Sequence, residues 1–178
     1  MPFAVELFFD THAEKQICDA WEAIQKAGIG SSLLDDGYRP HVSLSVCGRI
    51  DSTAFEAGLF SFAESVVPFP LSLSNVGVFP GAEGVVFLGV TVTEHLLDVH
   101  AAFHKIFKKY AGEQSEHYAV GKWVPHCTLA FGLSERQIAE AVSICRGIPL
   151  PISAEVKEIG LMDVSPNSCQ TLCLRKLG

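Results

Sequence analysis

Positive charge is scarce in this chain: 13 Lys and Arg stand against 20 Asp and Glu, for a net charge of −7 and an isoelectric point near 5.4. A protein that holds long nucleic acid does so by neutralising many phosphates, so a long duplex is excluded as a partner and any nucleic-acid substrate is expected to be short. Charged residues of both signs amount to only 19%, while 48% of the chain is hydrophobic and the mean hydropathy is +0.29, which excludes disorder. The six cysteines (Cys18, Cys47, Cys127, Cys145, Cys169, Cys173) contain no C-x-x-C pair and sit in apolar or helical stretches. Reduced core thiols are expected, not a disulfide scaffold. Apolar runs such as residues 85–90 fall far short of the roughly 20 residues of a membrane span. Residues 1–9 are apolar but lack a basic flank and run into Asp10, which suits a strand better than a signal peptide. A cytoplasmic, monomeric protein of one domain over residues 1–178, with no membrane partner, is the expectation.

What the sequence does have is internal repetition. Periodicity predicts strands at residues 3–9, 41–47 and 69–78, and helices at 12–27 and 52–64. The same order returns with strands at 85–92, 126–131 and 152–162 and helices at 94–110 and 135–146, followed by one more strand at 168–176. Corresponding elements are offset by 82 to 85 residues, which points to a duplication of approximately 1–81 onto 82–178. Thr11 with Glu14, and Ser134 with Gln137, read as capping boxes. The expected fold is α+β and bilobal, with two antiparallel β-sheets facing a central cleft and helices outside.

The informative residues stand at matching places in the two halves: Pro40-His41-Val42-Ser43-Leu44 and Pro125-His126-Cys127-Thr128-Leu129. In a strand, side chains two apart share a face, so His41 projects with Ser43 and His126 with Thr128. Bringing the two strands together gathers two imidazoles and two hydroxyls around one point, which suits a phosphate. Displacement at phosphorus needs a base for the attacking hydroxyl and an acid for the leaving oxygen. Two histidines supply both near neutrality, and the hydroxyls donate to the non-bridging oxygens. No metal or other cofactor is called for.

The paired motif resembles that of the two-histidine (2H) phosphoesterase superfamily, a bilobal duplicated fold with two His-x-Ser/Thr-hydrophobic motifs. The segments Val78-Phe79-Pro80 and Val85-Val86-Phe87-Leu88-Gly89-Val90 extend the likeness to the 2′-5′ RNA ligase-like and cyclic phosphodiesterase branch. The resemblance implies metal-independent chemistry on 2′,3′-cyclic phosphates, 2′-5′ linkages or the 3′ ends of small nucleotides and short RNAs, carried by His41, Ser43, His126 and Thr128. Ligation by the same groups in reverse is open.

Weaker candidates lie in the loops before the motif strands. Tyr38 and Arg39 precede the first, and His117, Tyr118, Lys122 and Trp123 the second. An aromatic among them can stack on a base and a cation can meet a phosphate; Arg39, two residues before His41, is placed to share its face. His100 and His104 have the spacing of a two-histidine metal face, but the run His-Ala-Ala-Phe-His lacks the glutamate of H-E-x-x-H, so a partly exposed helix surface is expected. Cys127 alternates away from the cleft, which excludes it as a nucleophile. Two rival readings stand beside catalysis by the histidines. One is a nucleotide- or RNA-binding module that lacks turnover. The other, a metal-dependent hydrolase, is disfavoured by the absence of acidic ligands near either motif.

Overall fold

The computed structural model describes residues 2–30, 33–79, 81, 84–165 and 168–178. Pro80 of the Val78-Phe79-Pro80 segment lies outside the described residues. The chain runs β1 (Phe3–Phe9), α1 (Thr11–Lys26), β2 (His41–Cys47), α2 (Ser52–Ser65), β3 (Phe69–Phe79), β4 (Gly84–Val90), α3 (Glu94–Phe107), a single 3₁₀ turn (Glu116–Tyr118), β5 (His126–Leu133), α4 (Glu135–Cys145), β6 (Ile152–Asp163) and β7 (Gln170–Lys176).

Each helix forms because its apolar residues recur at helical spacing. Ala13, Ile17, Ala20, Trp21 and Ile24 bury one face of α1, and Phe55, Leu59, Phe62 and Ala63 one face of α2. The caps differ from expectation at one end: Asp10, not Thr11, caps α1, accepting from the amides of His12 and Ala13. Its carboxylate also takes the Glu155 amide, tying α1 to β6. The capping box of Ser134 and Gln137 is present at α4.

All strand pairs are antiparallel, in the order β2-β1-β6-β3-β4-β5, with β7 on β6. The fold is α+β as expected, but the two separate sheets are replaced by one seven-stranded sheet. The reason is the length of β6: Ile152 to Val156 pair with β3, and Val156 to Asp163 pair with β1, so one strand belongs to both sides. The sheet path leaves β2 and β5 as its two ends, and the sheet curls until they approach each other.

Both end strands carry a bulge at the same point of the motif. In β2, Ser45 pairs with Val5 and Ser43 with Glu6, leaving Leu44 extra; in β5, Ala130 pairs with Val86 and Thr128 with Phe87, leaving Leu129 extra. A bulge re-aims the side chains that flank it. Here it lets Leu44 and Leu129 fill the core while the residues before them face the cleft.

Candidate active site

The cleft between β2 and β5 is floored by a hollow of about 170 Å³ lined by Glu6, Tyr38, His41, Ser43, Tyr118, His126 and Thr128 among others. It therefore gathers the four residues of the paired motif. Beside it, on the His126 side, lies a wider hollow of about 670 Å³ walled by Phe79, Val85, His117, Tyr118, Lys122, Trp123, Val124 and Phe131. His126 and Thr128 line both.

Each imidazole is held in the same way. His41 Nδ1 lies 2.7 Å from the Arg39 carbonyl, and His126 Nδ1 lies 2.7 Å from the Val124 carbonyl. A carbonyl only accepts, so each Nδ1 carries the hydrogen and each Nε2 is left for chemistry. Burial lowers the pKa of His126, and the nearby His41 ring adds to that effect, while the bond to Val124 opposes it. A neutral His126 with a free Nε2 is a base.

The backbone behind the hydroxyls is pinned as well. The Trp21 indole N–H donates to the Thr128 carbonyl at 3.0 Å, and that of Trp123 donates to the Ser43 carbonyl at 3.0 Å. Two tryptophans from unrelated positions thus fix the two motif strands at the same step. Trp21→Phe, which unmakes one such bond, is expected to cost about 1 kcal/mol of stability in urea unfolding.

The weaker candidates divide. Tyr38 stacks on His41 at 6.1 Å, and Tyr118 lines both hollows, sharing the smaller one with Ser43. Lys122 lines the wide hollow but pairs with Glu116 at 3.0 Å. Trp123 is 9% exposed and stacks on His100 at 4.0 Å, so one face of its ring is already covered. Arg39 departs from expectation: it lines neither hollow, because its guanidinium is drawn to Glu14 at 2.7 Å and Glu158 at 3.0 Å and lies over the Phe8 ring.

The expectation of a partly exposed helix surface holds for His104, which is half-buried, and is corrected for His100. His100 is only 2% exposed, and its Nε2 lies 3.0 Å from that of His104. His100 meets the Tyr118 carbonyl at 3.1 Å and His104 the Leu44 carbonyl at 3.1 Å. Among the described residues, no three His, Cys, Asp or Glu side chains converge as metal ligands would. Cys127 is 1% exposed, and burial pushes its thiol up to about 12, so it is no nucleophile near neutrality.

One residue of the cleft escapes the sequence reading. Glu6, in the apolar strand β1, is 1% exposed and reaches into the small hollow, its Oε1 3.5 Å from His41 Nε2. The available signal was a lone carboxylate in the run Phe-Ala-Val-Glu-Leu-Phe-Phe, where a buried charge demands a reason.

A curled antiparallel sheet with a pair of like motifs on its two ends defines a class, and comparison with known proteins gives that class its name. The sequence matches the 2′-5′ RNA ligase superfamily over residues 13–167, and the chain belongs to that family. No curated protein matches it. Among solved structures it is similar to TT0787 of Thermus thermophilus, with 16% identity over 99% of this chain and 98% of that one and a TM-score of 0.67. E. coli LigT in apo form matches with 19% identity over 99% and 96% of the two chains and a TM-score of 0.65. Kluyveromyces marxianus Usb1 matches with 12% identity over 96% of each chain and a TM-score of 0.57. None of the helices is long and apolar enough to cross a membrane, among the described residues.

Proposed function

We propose that the chain is a metal-independent phosphoesterase that opens a 2′,3′-cyclic phosphate, or cleaves a 2′-5′ or 3′-terminal phosphodiester, on a small nucleotide or RNA end. The observation that carries this reading is the pair of imidazoles, each with Nδ1 spent on a carbonyl two residues back, lining one hollow with Ser43 and Thr128. One Nε2 takes the proton of the attacking hydroxyl, the other protonates the leaving oxygen, and the two hydroxyls donate to the phosphoryl oxygens.

The lining of the cleft narrows the substrate. Among the described residues, the two hollows hold one lysine, already paired with Glu116, and no arginine, while Glu6 adds a carboxyl. Such a site suits the single charge of a phosphodiester better than the double charge of a phosphomonoester. The wide hollow, walled by Phe79, Val85 and Phe131, has the size and apolar lining for a nucleoside. E. coli LigT, which shares the fold, has been crystallised with 3′-AMP and with ATP.

The test is turnover of the four 2′,3′-cyclic nucleoside monophosphates and of 2′-5′-linked dinucleotides in excess EDTA, with 2′- and 3′-phosphate products resolved. Chelator-resistant turnover is expected, and the product isomer identifies which ester oxygen leaves. Nucleotide binding without any product would overturn the catalytic reading in favour of a binding module.

A further inference from the structure

The two sides of the cleft are alike in backbone and unlike in chemistry. Glu6 stands opposite Ser43, and at the matching register Phe87 stands opposite Thr128. A carboxyl therefore accompanies one motif and a phenyl ring the other. Glu6 Oε1 lies 3.5 Å from His41 Nε2, and its Oε2 is buried without a hydrogen-bond partner. Around His126 the neighbours are Phe79 at 4.9 Å and Phe87 at 5.1 Å between ring centroids. Gly77 makes room for this wall, since a Cβ there would run into the Phe87 ring.

Proton accounting follows from these contacts. Because His41 Nδ1–H is committed to the Arg39 carbonyl, a neutral His41 turns a lone pair toward Glu6. An ionised Glu6 has only lone pairs to turn back. Two such groups facing each other in a buried site repel, and one proton on either of them removes the repulsion.

The surrounding groups do not supply that proton. Arg39 attracts Glu6 from the loop before β2 but is held by Glu14 and Glu158. Tyr38 stacks on His41, and Tyr118, from the 3₁₀ turn, lines the same hollow; burial raises both phenols. The thiols of Cys127 on β5 and Cys169 before β7 are pushed up to about 12 by burial. His126 faces His41 from across the cleft.

We propose that Glu6 is a positioning residue that keeps one proton on the His41 side of the cleft, so that His41 is the general acid and His126 the general base. The assignment rests on the phosphoesterase reading above. In the step itself, His126 Nε2 takes a proton from the attacking hydroxyl or water as its oxygen bonds to phosphorus. The bond from phosphorus to the leaving oxygen breaks, its electron pair stays on that oxygen, and the oxygen takes the proton from His41 Nε2. Solvent then returns a proton from His126 to the Glu6–His41 pair. At 3.5 Å the pair is wider than a formed N–H···O bond, so the proton is not tied down and can be turned to substrate. Burial acts in the same sense on both sides, raising the pKa of Glu6 and lowering that of His126.

Glu6→Gln keeps the shape and removes the charge. The alkaline limb of the kcat profile is expected to move down by about one pH unit, a loss of about tenfold at pH 8, with KM and the acid limb unchanged. Side-chain nitrogen NMR without substrate is expected to show the His41 ring losing its proton at lower pH in E6Q, while the His126 ring titrates as before and reports an intact cleft. Glu6→Asp, which keeps the charge, should restore part of the shift. An unmoved alkaline limb with a raised KM would make Glu6 a substrate contact and overturn the proposal, as would an unmoved His41 titration. If the wild type turns over none of the substrates, the phosphoesterase reading fails, and the NMR titration still decides whether Glu6 and His41 share a proton.

Discussion

His41→Ala and His126→Ala are each expected to lower kcat by about 10²- to 10⁴-fold, and the double variant by little more than the worse of the two. The reason lies in the coupling of the two proton transfers. Displacement at phosphorus needs the attacking oxygen to lose a proton as the leaving oxygen gains one, so removing either partner leaves the other with half of a concerted task. KM is expected to change little, because Ser43 and Thr128 remain in the same hollow and their backbone is pinned by Trp123 and Trp21. Steady-state kinetics of the two single variants and the double variant measure this. Losses that multiply in the double variant would mean that the histidines act in separate steps, and undiminished single variants would remove them from the chemistry.

The paired motif was legible in the sequence because strand geometry is local. Alternation alone put His41 with Ser43 and His126 with Thr128, and the core partners Val42, Leu44, Cys127 and Leu129 are all buried in the structure. What was not legible depends on pairings far apart in the chain. Glu6 meets His41 only through the register of β1 on β2, and Arg39 is drawn from the cleft by Glu158, a residue on β6. The single sheet has the same origin, since a strand pattern does not reveal that β6 is shared between β1 and β3. His100 is a different kind of miss. It falls on the face of α3 with Leu96, Val99, Phe103 and Phe107, so position pointed inward while residue type pointed outward, and position prevailed.

That buried histidine makes the fold sensitive to acid. Burial, together with the neighbouring His104, lowers the pKa of His100 from 6.5 to about 4, and burial lowers that of His104 as well. The unfolded chain takes up a proton at His100 below about pH 6.5, whereas the folded chain resists until about pH 4. Stability from this group is therefore fully present above pH 6.5 and is lost as the pH falls toward 4. Between pH 7 and pH 5 the loss amounts to about 2 kcal/mol. Glu6, whose pKa is raised by burial, acts in the opposite sense in acid, so the comparison must be made against a variant that keeps Glu6. His100→Phe fills that need, because it retains a ring against Trp123 and cannot titrate. It gives up the contact with the Tyr118 carbonyl and is expected to be less stable than wild type at pH 7 by about 1 kcal/mol. Its stability should also fall less between pH 7 and 5, so that urea unfolding finds the gap closed or reversed at the lower pH. Equal slopes for the two proteins would show that His100 is protonated in the folded state. The consequence reaches the cleft, since Trp123 stacks on His100 with one face and holds the Ser43 carbonyl with its indole N–H. Charging the His100–His104 pair within the fold is therefore expected only near pH 4, where it should loosen the first motif strand, and activity lost on brief acidification to that pH is expected to return when the solution is neutralised.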